Sequence, residues 1–326
     1  MKKILLVQPL HPKALALLDG RDDVTYEVLP DHSEERLLHS VASADAIAIR
    51  DAPISKAVLA RANGLRVIAR HGVGFDNIPV DYCSERGIPV AVVGPVNAVA
   101  VAEHAMFLLL AAARVGVGLD AAVREGRFAA RGEVRSVELR NRTLLLVGFG
   151  RIGHEVAHRA TAFGMRILAY DPYLASPTGD DITVVETLDE GLRMADAVSL
   201  HLPLSDETRN ILGARELALL PKGAIVVNTS RGGLLDEDAL CAAIASGALH
   251  GAGLDTFAVE PLPATSPLLA ERRIVLSPHS AALTEDTLIA MGIKTIENAL
   301  AGLDGRLDPD LVVNNHVLRR DLDAAQ

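Results

Sequence analysis

Ten short apolar runs recur along the chain, and they restrict its fold more than any other feature. The first four are KILLVQP, ADAIAIR, LRVIAR and IPVAVV; after Asn141 come RTLLLVGFG, MRILAYD, DAVSLHLP, GAIVVNTS, HGAGLDTF and RIVLSPHS. A half-solvated strand alternates apolar and polar residues, whereas a strand covered on both faces is apolar throughout. Between the runs lie helix-like segments such as SEERLLHSV and SKAVLARA. Buried strands separated by helices imply parallel sheets with helices on both faces. The pattern restarts midway, and 326 residues at 49% hydrophobic content can fill two cores. The expected fold class is therefore α/β, with two doubly wound parallel-sheet domains. NAVAVAEHAMFLLLAAAR (97–114) reads as a helix apolar nearly all round, and such a helix must be covered on several sides. Lying between the units it can serve as the hinge helix, and it is either a subunit interface or an internal core helix. The C-terminal remainder is expected to pack back on the first unit.

Charge and composition narrow the possible functions. A formal net charge of −10 argues against a nucleic-acid-binding face, so an anionic substrate must be met by locally placed arginines. Two cysteines, Cys83 and Cys241, make neither a disulfide framework nor a metal site, and a reduced, cytoplasmic setting fits them. In MKKILLVQPLHP the apolar run stops at Gln8 and Pro9 with no cleavage signal, so a first strand is expected rather than a leader. AMFLLLAAA is far short of the roughly 20 residues that span a bilayer, so no membrane segment is expected.

LLLVGFGRIGHEVAHRA places Gly148, Gly150 and Gly153 in G-x-G-x-x-G spacing. Alone the motif is weak, but here an apolar strand precedes it and a helix pattern follows. The first glycine permits the tight turn, the second lets backbone approach a pyrophosphate, and the third lets helix and strand pack closely. Arg151 and Ile152 open the helix, whose free N–H groups face the phosphates. The next strand ends in Asp171, which can accept hydrogen bonds from ribose hydroxyls and would repel a 2′-phosphate. The expected cofactor is NAD.

Three chemically able residues follow later strands: Arg231 after VVNTS, Glu260 after LDTF, and His279 after RIVLSP. Each alone would be an ordinary loop residue. Together, at the carboxyl ends of strands where such folds bind ligands, they suit hydride transfer from an alcohol. A neutral imidazole takes the hydroxyl proton, a carboxylate orients the imidazole, and an arginine fork holds a substrate carboxylate.

With GFGRIG, YDP, ADAVSLHLPLSDETRNIL, LLPKGAIVVNTSRGGLLDEDAL, GAGLDTFAVEP and SPHSAALTED in order, the chain resembles the D-isomer-specific 2-hydroxyacid dehydrogenases. The resemblance implies that Arg231, Glu260 and His279 are the catalytic triad and that Asp255 contacts the nicotinamide amide. It also places Leu202, Pro203, Thr229, Ser230, Ser280 and Ala281 along the dinucleotide. It implies a Rossmann NAD domain, 99–285, inserted into a flavodoxin-like substrate domain, 1–98 plus 286–326, without a regulatory domain. It further implies a homodimer built around the helix starting near Asn97.

The resemblance extends to RHGVGFDNIP, similar to the family's substrate loop and set across a cleft from Arg231. Gly72, Val73 and Gly74 there, with Asn97, would line the substrate. Arg50 in AIAIRDAPIS, and Arg131 in AARGEVRSVEL, either meet a substrate phosphate or are solvated surface charges. Formate dehydrogenases carry Gln where Glu260 stands and phosphite dehydrogenases Lys where Val73 stands, so both are disfavoured. The expected activity is hydride transfer between NAD(H) and a small anionic D-2-hydroxy acid or 2-keto acid. Candidate substrates are 3-phosphoglycerate, glycerate and glyoxylate or hydroxypyruvate. The alternative is a dinucleotide-sensing interaction protein of the C-terminal-binding-protein type, whose extra disordered tail is not expected here.

Overall fold

The computed structural model describes residues 1–174 and 181–318. The chain divides into two compact units, one of Met1–Asn97 with the segment from Leu283 onward, the other Ala98–Ala282. In the first, β1 (Lys2–Leu6), β2 (Val24–Val28), β3 (Ala46–Ile49), β4 (Val67–Arg70) and β5 (Val90–Ala91) form one parallel sheet in the order β2-β1-β3-β4-β5. That is the flavodoxin-like order. Every residue of β3 is buried, as its unbroken apolar sequence requires.

The helix Glu285–Leu303 lies on β3 and β4 of this sheet. A Cβ added at Gly302 would stand 2.4 Å from Val67 Cγ1, so the close approach of that helix to β4 depends on a residue without a side chain. The chain beyond the helix returns to the sheet edge. Val312 bridges Ala91 in antiparallel fashion, and Asn314 accepts from Val90 N–H (2.8 Å) and donates to Ile88 O (2.9 Å). Residues 319–326, the last part of the expected C-terminal return, lie outside the described residues.

The second unit carries β6 (Thr143–Val147), β7 (Arg166–Tyr170), β8 (Ile182–Val184), β9 (Ala197–Leu200), β10 (Ala224–Asn228), β11 (Leu249–Leu254) and β12 (Ile274–Leu276). All pair in parallel in the order β12-β11-β10-β9-β6-β7-β8. The order reverses at β6/β9, which makes a Rossmann-type switch point at the carboxyl ends of those strands. The helix Ala98–Arg114 belongs to this unit and passes so close to β11 that a Cβ at Gly253 would be 2.6 Å from Leu108 Cβ. By length and composition Gly94–Arg114 could cross a membrane, yet 56% of its most apolar window is buried within the protein.

Two strands escape the apolar-run criterion. β2 (VTYEV) and β8 (ITV) are the outer strands of their sheets and keep exposed or half-exposed residues. An edge strand covered by one neighbour need not be apolar on both faces.

His71, directly after β4, is 5% exposed. Its imidazole is pushed down to about 4, first by burial and then by the Arg50 charge, with Arg70 adding a smaller effect. The unfolded chain therefore takes up a proton near pH 6.5 that the folded chain refuses until about pH 4. Stability from this residue is fully present above pH 6.5 and is lost as pH falls toward 4, a loss on the order of 3 kcal/mol. Thermal unfolding followed across this range should show a falling Tm, and His71→Gln should flatten that slope.

Candidate active site

Gly148 follows β6 with φ of 90°, and a Cβ there would meet His201 O at 2.5 Å. Only glycine fits both the left-handed turn and that contact. Gly150 precedes the helix Arg151–Ala162, and among the described residues, its two chain neighbours apart, no atom lies within 4 Å of where its Cβ would be. Gly153 is buried, and a Cβ there would meet Gly148 O at 2.7 Å. The three glycines thus make a turn, an open approach and a close helix contact, which are the needs of a pyrophosphate cradle. Arg151 is exposed at the helix start and Ile152 is half-buried. Asp171 stands just past β7, where its carboxylate accepts from Phe149 N–H and Tyr173 N–H, both at 2.9 Å. That pins it beside the glycine turn. Leu202 and Pro203 follow β9, and Thr229 and Ser230 follow β10. Buried Thr229 Oγ1 has no hydrogen-bond partner among the described residues, an opening that a bound polar ligand would fill. These residues fit a dinucleotide.

The loop that carries Arg231 is held by Asn228. Its side chain donates to Arg231 O at 2.8 Å and accepts from Ser230 N–H at 3.0 Å, while Ser230 Oγ donates to Leu200 O at 2.7 Å. The Arg231 guanidinium donates to Ser230 O at 2.7 Å. Gly232 has no room for a side chain, because a Cβ would lie 1.8 Å from Phe257 O. The Arg231 loop is therefore pressed against the loop that carries Glu260.

Glu260 Oε2 lies 2.8 Å from His279 Nδ1, and Glu260 Oε1 accepts from Phe257 N–H at 2.9 Å. Burial works to raise this carboxyl, but the hydrogen bonds from His279 and Phe257 outweigh it, and Glu260 titrates below the ordinary glutamate value. An ionised Glu260 can only accept, so Nδ1 of His279 carries a proton. In the neutral imidazole Nε2 is then the basic nitrogen. His279 itself has φ of 50°, a left-handed backbone held by its N–H bond to Asp255 O at 2.7 Å. Asp255 is fully buried, and its carboxylate accepts from Ser277 Oγ (2.6 Å), Ser280 N–H (2.9 Å) and Ala281 N–H (2.9 Å).

All of these residues belong to the Ala98–Ala282 unit. Of the other expected substrate residues, Arg50, Gly72, Val73, Gly74 and Asn97 belong to the other unit, while Arg131 lies in this one. Arg50 follows β3 and donates from Nη1 to Pro9 O at 3.3 Å. Gly72 has φ of 142°, and a Cβ would meet the Arg70 guanidinium at 2.6 Å; its N–H already bonds Arg70 O at 3.0 Å. That N–H is spent within the loop rather than offered to an anion. Val73 is exposed, Gly74 half-buried, and Asn97 ends the turn Gly94–Asn97. Arg131 is exposed and stacks over the Phe128 ring at 5.0 Å.

Motif reading passed over Asn228 and Glu237. The Glu237 carboxylate, at the start of the helix Glu237–Ala245, accepts from Ala258 N–H at 2.7 Å and so ties down the loop between Phe257 and Glu260. A signal was present in LLDEDAL, where acidic residues open a helix. Glu237→Ala should lower kcat about tenfold with little change in Tm, and Glu237→Gln, which keeps an acceptor, should restore most of it. Steady-state kinetics beside thermal melts would check both.

Residues 106–281 match the model of the D-isomer specific 2-hydroxyacid dehydrogenase, NAD binding domain. A D-3-phosphoglycerate dehydrogenase of Methanocaldococcus jannaschii is 38% identical over 96% of this chain but only 59% of its own length. The chain thus spans about six tenths of that relative. A hydroxypyruvate reductase of Thermotoga maritima is 38% identical over 89% of this chain and 94% of its own. The crystal structure of the TT0316 protein from Thermus thermophilus superposes with a TM-score of 0.87 at 38% identity, covering 95% of this chain and 99% of that one. The chain belongs to the D-isomer-specific 2-hydroxyacid dehydrogenase family.

Proposed function

We propose that this protein is an NAD-dependent dehydrogenase that interconverts a small D-2-hydroxy acid and its 2-keto acid. The observation that carries the reading is the 2.8 Å Glu260–His279 pair, on the same unit as the glycine cradle. Nicotinamide, when bound, supplies the hydride chemistry. His279 Nε2 takes the substrate hydroxyl proton in oxidation and returns it in reduction, and Glu260 stabilises the imidazolium so formed. Arg231 holds the substrate carboxylate with its planar fork. We assign the dinucleotide to Gly148, Gly150, Arg151, Ile152, Gly153, Asp171, Leu202, Pro203, Thr229, Ser230, Asp255, Ser280 and Ala281. To the substrate we assign Arg50, Val73, Gly74 and Asn97, with Gly72 shaping its loop. Both cysteines are free thiols, and we place the enzyme in the cytoplasm.

The hydroxypyruvate reductase relative, matched over nearly its whole length, favours hydroxypyruvate or glyoxylate. Arg50 leaves 3-phosphohydroxypyruvate as the second candidate. The relatives named above lend no support to a dinucleotide-sensing interaction role. We further propose a homodimer through the apolar groove of about 760 Å³ between Met106, Phe107, Leu110, Val117 and Phe163. The Phe107 and Val117 side chains there are 52% and 54% exposed.

Purified protein should oxidise NADH with at least one of these keto acids, and His279→Ala should lower kcat about 10²–10⁴-fold. Absence of turnover with all three would overturn the assignment. Asp171→Ser should erode the preference for NADH over NADPH, measured as a ratio of kcat/KM values. Phe107→Asp should shift the species seen by light scattering from dimer to monomer.

A further inference from the structure

His104 projects from the helix Ala98–Arg114, and no role in the chemistry above falls to it. Its Nε2 lies 2.8 Å from Ser277 Oγ and 3.5 Å from Asp255 Oδ1. Ser277 Oγ is 2.6 Å from the same Asp255 oxygen. The direction of this chain follows from counting protons. An ionised carboxylate has none to give, so the single Ser277 hydroxyl proton goes to Asp255. The Ser277 oxygen must then accept, and the proton it accepts is on His104 Nε2.

A fully buried carboxylate needs this supply of donors. Burial works to raise the Asp255 carboxyl, but His104, Ser277, Ser280 and Ala281 outweigh it and hold it below the ordinary aspartate value. Three of the contacts fall on Oδ1, while Oδ2 accepts only Ala281 N–H among the described residues. Oδ2 therefore keeps a lone pair, which a ligand reaches only by displacing the residues that now cover the carboxylate.

We propose that His104 is a positioning residue for the nicotinamide end of the cofactor. Through the Ser277 hydroxyl, its Nε2–H fixes Oδ1 of Asp255, so that Oδ2 is presented to the carboxamide N–H. The inference rests on the reading that Asp255 meets the nicotinamide. It differs from a general packing role because only the nicotinamide half of the dinucleotide should register it.

The test compares NADH with ADP-ribose, which lacks the nicotinamide, by calorimetric binding to wild-type, His104→Phe, His104→Gln and Ser277→Ala proteins. His104→Phe keeps a planar ring without the donor. It should weaken NADH about tenfold and leave ADP-ribose unchanged. His104→Gln, whose amide can donate, should recover most of the loss, and Ser277→Ala should repeat it even where the phenylalanine variant folds poorly. Equal weakening of both ligands, or unchanged NADH binding, overturns the proposal. Asp255→Asn separates the two levels. If it selectively weakens NADH while His104→Phe does not, Asp255 meets the nicotinamide and His104 plays no part. If it too leaves NADH untouched, the placement of Asp255 on the nicotinamide fails as well, and the proposal with it.

Discussion

The burial of one negative charge organises the chemistry of this protein. Asp255 stands at the end of β11 with no exposure, and an uncompensated carboxylate there would cost several kcal/mol. Two of the donors that neutralise it are the peptide N–H groups of Ser280 and Ala281, immediately after His279. To deliver both, the chain must turn at His279, which accepts a left-handed φ of 50°. That conformation costs a β-carbon residue on the order of 1 kcal/mol, less than the charge it helps to satisfy. The place of the imidazole is thus a consequence of satisfying Asp255, and the left-handed backbone is the smaller of two penalties.

Parallel pairing supplies the remaining proximity. β10, β11 and β12 are neighbours in one sheet, and their carboxyl ends point the same way. Strands about 4.8 Å apart bring the loops after them within side-chain reach of one another although they are distant in sequence. Steric fit then sets the loops in place. Gly232 must lack a side chain for the Arg231 loop to lie on Phe257, and the Glu237 carboxylate holds the backbone at Ala258. Phe257 N–H in turn fixes Glu260 Oε1, so the second oxygen meets His279. Arg231 and His279 are each held against another loop, the first through Gly232 on Phe257 and the second through its N–H bond to Asp255 O, while Glu260 is fixed by Phe257 N–H of its own loop.

This hierarchy explains what could be read from the sequence. Inner strands were legible because burial on two faces leaves an apolar run, as in AIAI of β3 and TLLLV of β6. β2 and β8 were not: like β5 and β12 each pairs on one side only, but these two leave side chains exposed and carry Glu27 and Thr183. Gly148, Gly150 and Gly153 were legible because a short local motif encodes turn, approach and packing at fixed spacing. Arg231, Glu260 and His279 could be singled out from their places after strands, and the structure sets Glu260 2.8 Å from His279. Glu237 and His104 were missed because each bonds a residue distant in sequence, Ala258 and Ser277, and their types are ordinary for a helix start and a helix interior. Asn228 bonds Ser230 and Arg231 within its own loop and was missed because its type is ordinary for a strand end. The spent N–H of Gly72 was equally invisible, since it bonds Arg70 O across a tight turn whose φ of 142° favours glycine.

Electrostatics gives the site a short reach. The chain carries a formal charge of −10, and the dinucleotide and 2-keto acid of the proposed reaction are anions, so the summed field opposes their approach. Salt screens that field beyond about 8 Å at physiological ionic strength. What attracts the ligands therefore acts only at contact. On the proposed reading it consists of the N–H groups at the start of the helix Arg151–Ala162, Arg151 itself and the Arg231 fork. Such a site gains its affinity from donors already in place before the ligand arrives. The backbone contacts that hold Arg231, Asp255 and His279 are what provide that order, and a loosened loop would lose ligand affinity before it lost the fold.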